Sequence, residues 1–216
     1  MTPTLALLAI LGTLTLGAMS PGPSFVLVAR MAVARSRRDG LAAALGMGVG
    51  GGTFCGLALM GLVALLASVE WLYALLKIAG ALYLFYLAIM MWRGARQPLA
   101  VPDDGAGKTA EARTRSPRRA FAVGLMTQLS NPKTAIVYGG IFAALLPPSP
   151  PAWMVLILPP LIFAIEAGWY SIVALLFSAD RPRRAYLSSK GWVDRAAGSA
   201  MGLLGAKLIF DAARPI

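Results

Sequence analysis

Thr127-Gln128-Leu129-Ser130-Asn131-Pro132-Lys133 puts a proline break, flanked by polar side chains and a cation, inside an apolar run from Phe121 to Leu146. A second break, Ser20-Pro21-Gly22-Pro23-Ser24, interrupts the apolar run from Thr4 to Ala29. Each run is long enough to cross a bilayer, which takes about 20 residues. Lipid offers no partner to a freed backbone N–H or C=O. A broken helix persists there only where protein buries it or where it lines a wet cavity. Two such breaks, in the first and fourth apolar segments, predict a transport site between two half-repeats.

Composition agrees with a bilayer as the solvent. The 216 residues are 58% hydrophobic and only 13% charged, with a mean hydropathy of +0.70; a soluble domain is about 25% charged. The chain reads as one all-α integral membrane domain of six spans. There is no His and a single Cys, Cys55. Imidazole metal sites and imidazole bases are therefore excluded, as are an internal disulfide and dithiol redox chemistry. No cofactor is implied. Cys55, in a glycine-rich apolar stretch, reads as a small packing residue. The apolar amino terminus has no basic n-region, so it reads as a retained first span rather than a secretory signal.

The six segments are roughly Thr4–Ala29, Leu41–Ala67, Trp71–Trp92, Phe121–Leu146, Trp153–Ser178 and Val193–Phe210. Sixteen of the 20 basic residues fall in or beside the connections after segments one, three and five. The two other turns, Ser68–Glu70 and Pro147–Ala152, have none. The positive-inside rule puts the basic connections in the cytoplasm and both termini outside. The net charge of +11 is thus topogenic, and nucleic acid is not an expected partner. Residues 97–117, rich in Pro, Gly, Ala and mixed charge, read as a cytoplasmic linker between half-repeats 1–96 and 118–216. Three spans on each side give the halves inverted orientations.

Depth selects the site. Lys133 is 14 residues from Arg119 and 14 from Pro147, about 21 Å of helix each way. A cation near mid-membrane is costly and marks a functional site by default. Pro132 frees a carbonyl about one turn earlier, and Gln128, Ser130 and Asn131 add donors and acceptors. Glu166 lies at similar depth, 13 residues from Trp153 and 12 from Ser178. Opposite charges at one depth are expected to pair across one cavity, with Trp169 and Tyr170 beside them. A structural salt bridge and a plain kink are the bland alternatives. Lys77 and Lys207 are shallower and within snorkelling reach. At the first break, Pro21, Gly22 and Pro23, with Ser20 and Ser24, would let the helix after Pro23 point its positive end at a carboxylate; a proline kink alone is the alternative. Pro21 lies nearer the cytoplasmic edge than Pro132, so the two breaks are not required to meet.

The second span carries Gly46/Gly50, Gly48/Gly52 and Gly52/Gly56, and the last span Gly198/Gly202. This small-xxx-small spacing admits close helix approach, within the chain or between chains. Trp71, Trp92, Trp153 and Trp192 fall near span ends, as interfacial belts require.

These residues resemble the lysine exporter/homoserine–threonine resistance family of bacterial amino-acid efflux proteins over almost the whole length. The resemblance rests on Ser20-Pro21-Gly22-Pro23, the basic loop into Gly40-Leu41, and the glycine-rich second span. It continues with Leu76-Lys77-x-x-Gly80-Ala81-x-Tyr83-Leu84 and Asn131-Pro132-Lys133. It implies export of an amino acid or related small metabolite across the bacterial inner membrane, coupled to protons as an antiporter, often in a homodimer. The residues expected to serve substrate or coupling are Ser20, Pro21, Gly22, Pro23, Lys77, Gln128, Asn131, Pro132, Lys133, Glu166 and Tyr170. The substrate carboxylate is expected at Lys133 or the helix end after Pro23. Its ammonium is expected at Glu166 or backbone carbonyls. A channel or structural membrane protein is the alternative; an enzyme is not expected, because no catalytic triad or metal-ligand cluster is present.

Overall fold

A computed structural model describes residues 2–68, 70–97 and 116–213. Side chains at 62–74, 76–77 and 211–213 lie outside the described set, as do most of the expected linker and the side chain of Lys77. Among the described residues there are eight helices and no strand. They are α1 (Pro3–Met19), α2 (Pro23–Ala34), α3 (Arg37–Ser68), α4 (Glu70–Gly94), α5 (Pro117–Leu129), α6 (Pro132–Leu145), α7 (Ala152–Phe177) and α8 (Asp180–Ala213).

Six apolar segments give eight helices because both proline motifs break the chain. Proline has no N–H to lose in a first helical turn and its φ already suits a helix. Accordingly α2 starts at Pro23 and α6 at Pro132. The axes of α1 and α2 are bent by 54°. By length and apolarity, Arg37–Gly61 of α3 and Ala152–Phe177 of α7 can each cross a membrane, and α1 with α2 forms a third span if the bent pair is one.

Two helices start earlier than the apolar pattern suggests. α3 begins at Arg37 because Ser36 caps it: its Oγ accepts from the Asp39 N–H (3.1 Å) and donates to Asp39 Oδ2 (3.0 Å). This is the reciprocal logic of a capping box. The Arg181–Lys190 stretch, read as a loop, is the start of α8. Asp180 suits the positive end of that helix, and Pro182 falls in its first turn, where proline is tolerated.

α3 packs against both α5 and α7, and α4 packs against α8 and α6. Glycines set these distances. A Cβ on Gly46 would strike the Phe121 carbonyl of α5, and one on Gly48 would lie 2.6 Å from Ala167 Cβ of α7. The small-xxx-small faces of α3 are thus used inside the chain, although Gly56 has nothing within 4 Å among the described residues. Gly198 likewise meets Ala88 and Trp92 of α4. Cys55 is fully buried in the apolar core. Trp92, Trp153 and Trp192 are exposed.

The buried apolar residues form two clusters. One gathers Ile10, Leu59, Leu84, Ile141, Leu158 and Met201. The other gathers Phe25, Met47, Val173, Phe177 and Tyr186. Tyr138 belongs to the first and Tyr170 to the second, and both line one small cavity. The polar site lies where the two clusters meet.

Candidate functional site

The two breaks come together. Asn131 Nδ2 donates to Ser24 Oγ (2.9 Å), across from the start of α6 to the first turn of α2. Lys133 Nζ donates to the Ser20 carbonyl (2.8 Å), just beyond the end of α1. The sequence reading left the breaks at different depths. Counting residues from loop ends treats each helix as straight and upright, whereas α1 and α2 meet at an angle that brings their junction to α6.

Asn131 has two roles. Its Oδ1 accepts from the Lys133 N–H (3.0 Å), capping α6, while its Nδ2 reaches Ser24. Ser24 Oγ donates to Gln128 Oε1 (2.7 Å). Gln128 Nε2 donates to Glu166 Oε2 (2.9 Å). Tyr138 donates its phenolic proton to Glu166 Oε1 (3.0 Å). The result is an unbroken chain from Asn131 through Ser24 and Gln128 to Glu166, closed from the other side by Tyr138. All five side chains are buried, Gln128 at 1% and Glu166 at 6% exposure. A low-dielectric site makes such a chain strong when complete and costly when broken. Among its members, sequence reasoning missed Tyr138 and gave Ser24 only a local role. Tyr138 sits seven residues after Asn131, two turns along α6, a spacing that points it to the same side.

Lys133 and Glu166 line the same cavity of about 30 Å3, with Ser20, Gly22, Ser24, Asn131 and Tyr170. They are not ion-paired to each other. Lys133 spends its ammonium on Ser20 O, and Glu166 takes neutral donors. The expected direct pair is replaced by a carbonyl on one side and a phenol–amide pair on the other. Gly22 makes room for this: a Cβ there would sit 3.2 Å from Lys133 Cδ and 3.3 Å from its Nζ. Pro23 and Pro132 themselves are exposed and act through the helix starts they impose. Tyr170 is buried at the cavity wall, whereas Trp169 is not among its lining residues. Ser130 is exposed and bonds back to Met126 O. Lys207 is exposed.

A second, larger cavity of about 610 Å3 adjoins the first, sharing Gly17, Ser20, Gly22, Lys133 and Val137 with it. It runs past Tyr83, Tyr86 and Met90 to Arg93, Gln97, Lys190 and Asp194, at the ends of α4 and α8 that carry basic connections. Lys190, read from sequence as a loop charge, is buried here and paired with Asp194 Oδ2 at 2.8 Å. An i,i+4 Lys–Asp pair on an apolar helix face was the available signal.

The chain is similar to known proteins over most of its length. The family model for the LysE type translocator matches residues 15–212. The threonine efflux protein of Salmonella typhi is 33% identical over 89% of this chain and 92% of its own length. That of Escherichia coli K12 is 32% identical over the same shares. The homoserine/homoserine lactone efflux protein of Salmonella typhimurium is 29% identical over 66% of each chain. No solved structure matches. By its motifs, its length and the match over residues 15–212, the chain belongs to the LysE type translocator family.

Proposed function

We propose that this chain is a secondary exporter of an amino acid across the bacterial inner membrane, driven by proton return. The observation that carries the reading is the convergence of two broken helices on one polar site, joined by Ser24–Asn131 and Lys133–Ser20 around the buried Glu166. Half-helix starts at Pro23 and Pro132 turn positive ends toward that site, and with Lys133 they suit a carboxylate. Relatives named for threonine and homoserine efflux support a small amino acid as cargo.

Glu166 is the proton carrier in this reading. As a carboxylate it accepts from Gln128 and Tyr138. As a carboxylic acid it would donate to the Tyr138 oxygen, whose own proton then turns away. One side chain thus accommodates both states without moving its neighbours. Lys133 holds the carboxylate end of the cargo by leaving Ser20 O.

Six spans in two inverted halves, with both termini outside, complete the proposal. The packing pattern supports it. Exchanging the halves (α1, α2, α3, α4 for α5, α6, α7, α8) turns the α1–α6 pair into α5–α2, α1–α7 into α5–α3, and α2–α7 into α6–α3. It returns α3–α7 and α4–α8 to themselves, and each of these pairs is in contact, whereas the α4–α6, α1–α8 and α2–α3 pairs have no counterpart of similar extent among the described residues. In this orientation the larger cavity faces the cytoplasm.

The test is flux from proteoliposomes preloaded with single amino acids. An imposed proton gradient is expected to drive a few of them against their own gradient. A channel would only dissipate one. Uphill flux that survives both Lys133→Ala and Glu166→Gln overturns the site assignment.

A further inference from the structure

Among the described residues, three buried side-chain polar atoms lack a hydrogen-bond partner: Trp169 Nε1, Tyr186 Oη and Asp194 Oδ1. Only the last belongs to a charged group, and only its residue, Asp194, lines the 610 Å3 cavity; the oxygen itself is closed off from that cavity in this structure. Asp194 is 2% exposed. A buried carboxylate oxygen without a donor is expensive, so its retention calls for a ligand.

The neighbouring geometry anchors that carboxylate through its other oxygen. Lys190 Nζ makes three bonds, to Gly94 O (2.7 Å), Gln97 O (3.2 Å) and Asp194 Oδ2 (2.8 Å). All three of its protons are engaged. Lys190 therefore fixes the carboxylate against the end of α4 and leaves Oδ1 with no donor among the described residues. Glu166 is the opposite case. Each of its oxygens already has a donor, and its void of about 30 Å3 admits water rather than an amino acid. The larger cavity has a volume typical of small-molecule sites. Its wall also carries Lys133, Arg93 and Lys190 and, among the described residues, no acidic side chain besides Asp194.

We infer that Asp194 turns Oδ1 into the larger cavity to receive the ammonium group of the transported amino acid, whose carboxylate points to Lys133. This rests on the exporter reading and replaces Glu166 as the ammonium partner, leaving Glu166 to the proton. The cavity then offers a zwitterion one acidic side chain for its cation and, in Lys133, a cation on an exchangeable carbonyl for its anion, with the exposed Arg93 also on its wall.

The test is calorimetric binding to the full chain in lipid nanodiscs, with L-threonine, L-homoserine and 3-hydroxybutyrate, which lacks the ammonium. Wild type is expected to bind threonine at least about tenfold tighter than 3-hydroxybutyrate, the scale of one charge-assisted hydrogen bond. Asp194→Asn, which still accepts from Lys190, is expected to erase that preference by weakening threonine alone. Asp194→Glu is expected to keep it. Equal binding of threonine and 3-hydroxybutyrate by wild type overturns the inference, and that arm stands even if the Asp194 variants do not fold. A preference that survives Asp194→Asn overturns it too. Absence of binding for both threonine and homoserine overturns the inference and the exporter reading for those amino acids together.

Discussion

Glu166→Gln separates coupling from architecture. The substitution keeps side-chain volume and one acceptor oxygen. That oxygen can still take the Tyr138 proton, but the new NH2 faces the Gln128 NH2, now 2.9 Å from Glu166 Oε2. Rotating the Gln128 amide repairs this contact and turns its own NH2 toward Ser24 Oγ. Ser24 then accepts from both Gln128 and Asn131, and its hydroxyl proton loses its acceptor. The ledger is one neutral hydrogen bond lost and one charge-assisted bond made neutral, about 1–2 kcal/mol. It is offset in part because a buried charge no longer has to be desolvated. The variant is therefore expected to fold, with only a small fall in its thermal unfolding midpoint in detergent. Transport is expected to respond very differently. With one proton returned per substrate, a gradient of one pH unit is worth about 1.4 kcal/mol and supports roughly a tenfold concentration ratio. Proteoliposomes carrying the wild type should approach that ratio for a transported amino acid. Those carrying Glu166→Gln should stay near equality while still exchanging labelled for unlabelled substrate across the bilayer. A variant that still concentrates substrate under the gradient refutes the assignment of the proton to Glu166. A variant that loses exchange as well, with its fold intact, refutes the separation of proton and substrate sites.

Gly22→Ala places a methyl 3.2–3.3 Å from Lys133, so the Lys133–Ser20 contact must shift; several-fold weaker substrate binding with an unchanged unfolding midpoint is expected by calorimetry. Gly48→Ala sets a Cβ 2.6 Å from Ala167 Cβ between two long helices and is expected to lose about 1–3 kcal/mol of stability through overpacking. Gly56→Ala, with open space around it, is the matched control, expected neutral or stabilised by up to about 1 kcal/mol through helix propensity. Lys190→Ala leaves Asp194 buried without its partner and is expected to cost about 3–5 kcal/mol, read as a lower unfolding midpoint in detergent.

The sequence exposed the breaks because proline and glycine act locally: Pro23 and Pro132 determine where helices start whatever surrounds them. It exposed Lys133 and Glu166 because charge in an apolar run is rare and its cost does not depend on tertiary detail. It did not expose who partners whom. Gln128 is one of several polar residues before Pro132. Only packing shows that it is the one turned inward to Glu166, while Ser130 turns out to its own helix. Tyr138 and Asp194 were missed for a related reason. A tyrosine in an apolar helix reads as bulk, and an Asp beside Arg195 reads as surface charge, until a neighbouring helix buries it. Distance counted along a segment also failed at the first break, because a 54° bend makes depth a property of two helices rather than of residue number.

In the proposed exporter, Lys133 is placed to bind cargo and still release it. In this structure its ammonium is not idle: it satisfies the Ser20 carbonyl, which the break at Pro21 leaves outside any helix. An arriving carboxylate therefore does not meet a naked buried cation, which would hold it too tightly. It trades one hydrogen bond for another, and Ser20 O must be satisfied by water or by the cargo itself. Only the difference between those bonds, of the order of 1 kcal/mol, appears as affinity, although the gross interaction is several times larger. Leu in place of Lys133 would remove the cation and orphan Ser20 O together. Gln in place of Lys133 keeps a donor for Ser20 O and removes only the charge. If the exchange argument is right, Lys133→Gln folds like the wild type and loses carboxylate recognition: the amino alcohol 1-amino-2-propanol then binds as well as threonine does. A Lys133→Gln protein that still prefers threonine over the amino alcohol would show that the helix ends at Pro23 and Pro132 hold the carboxylate without it.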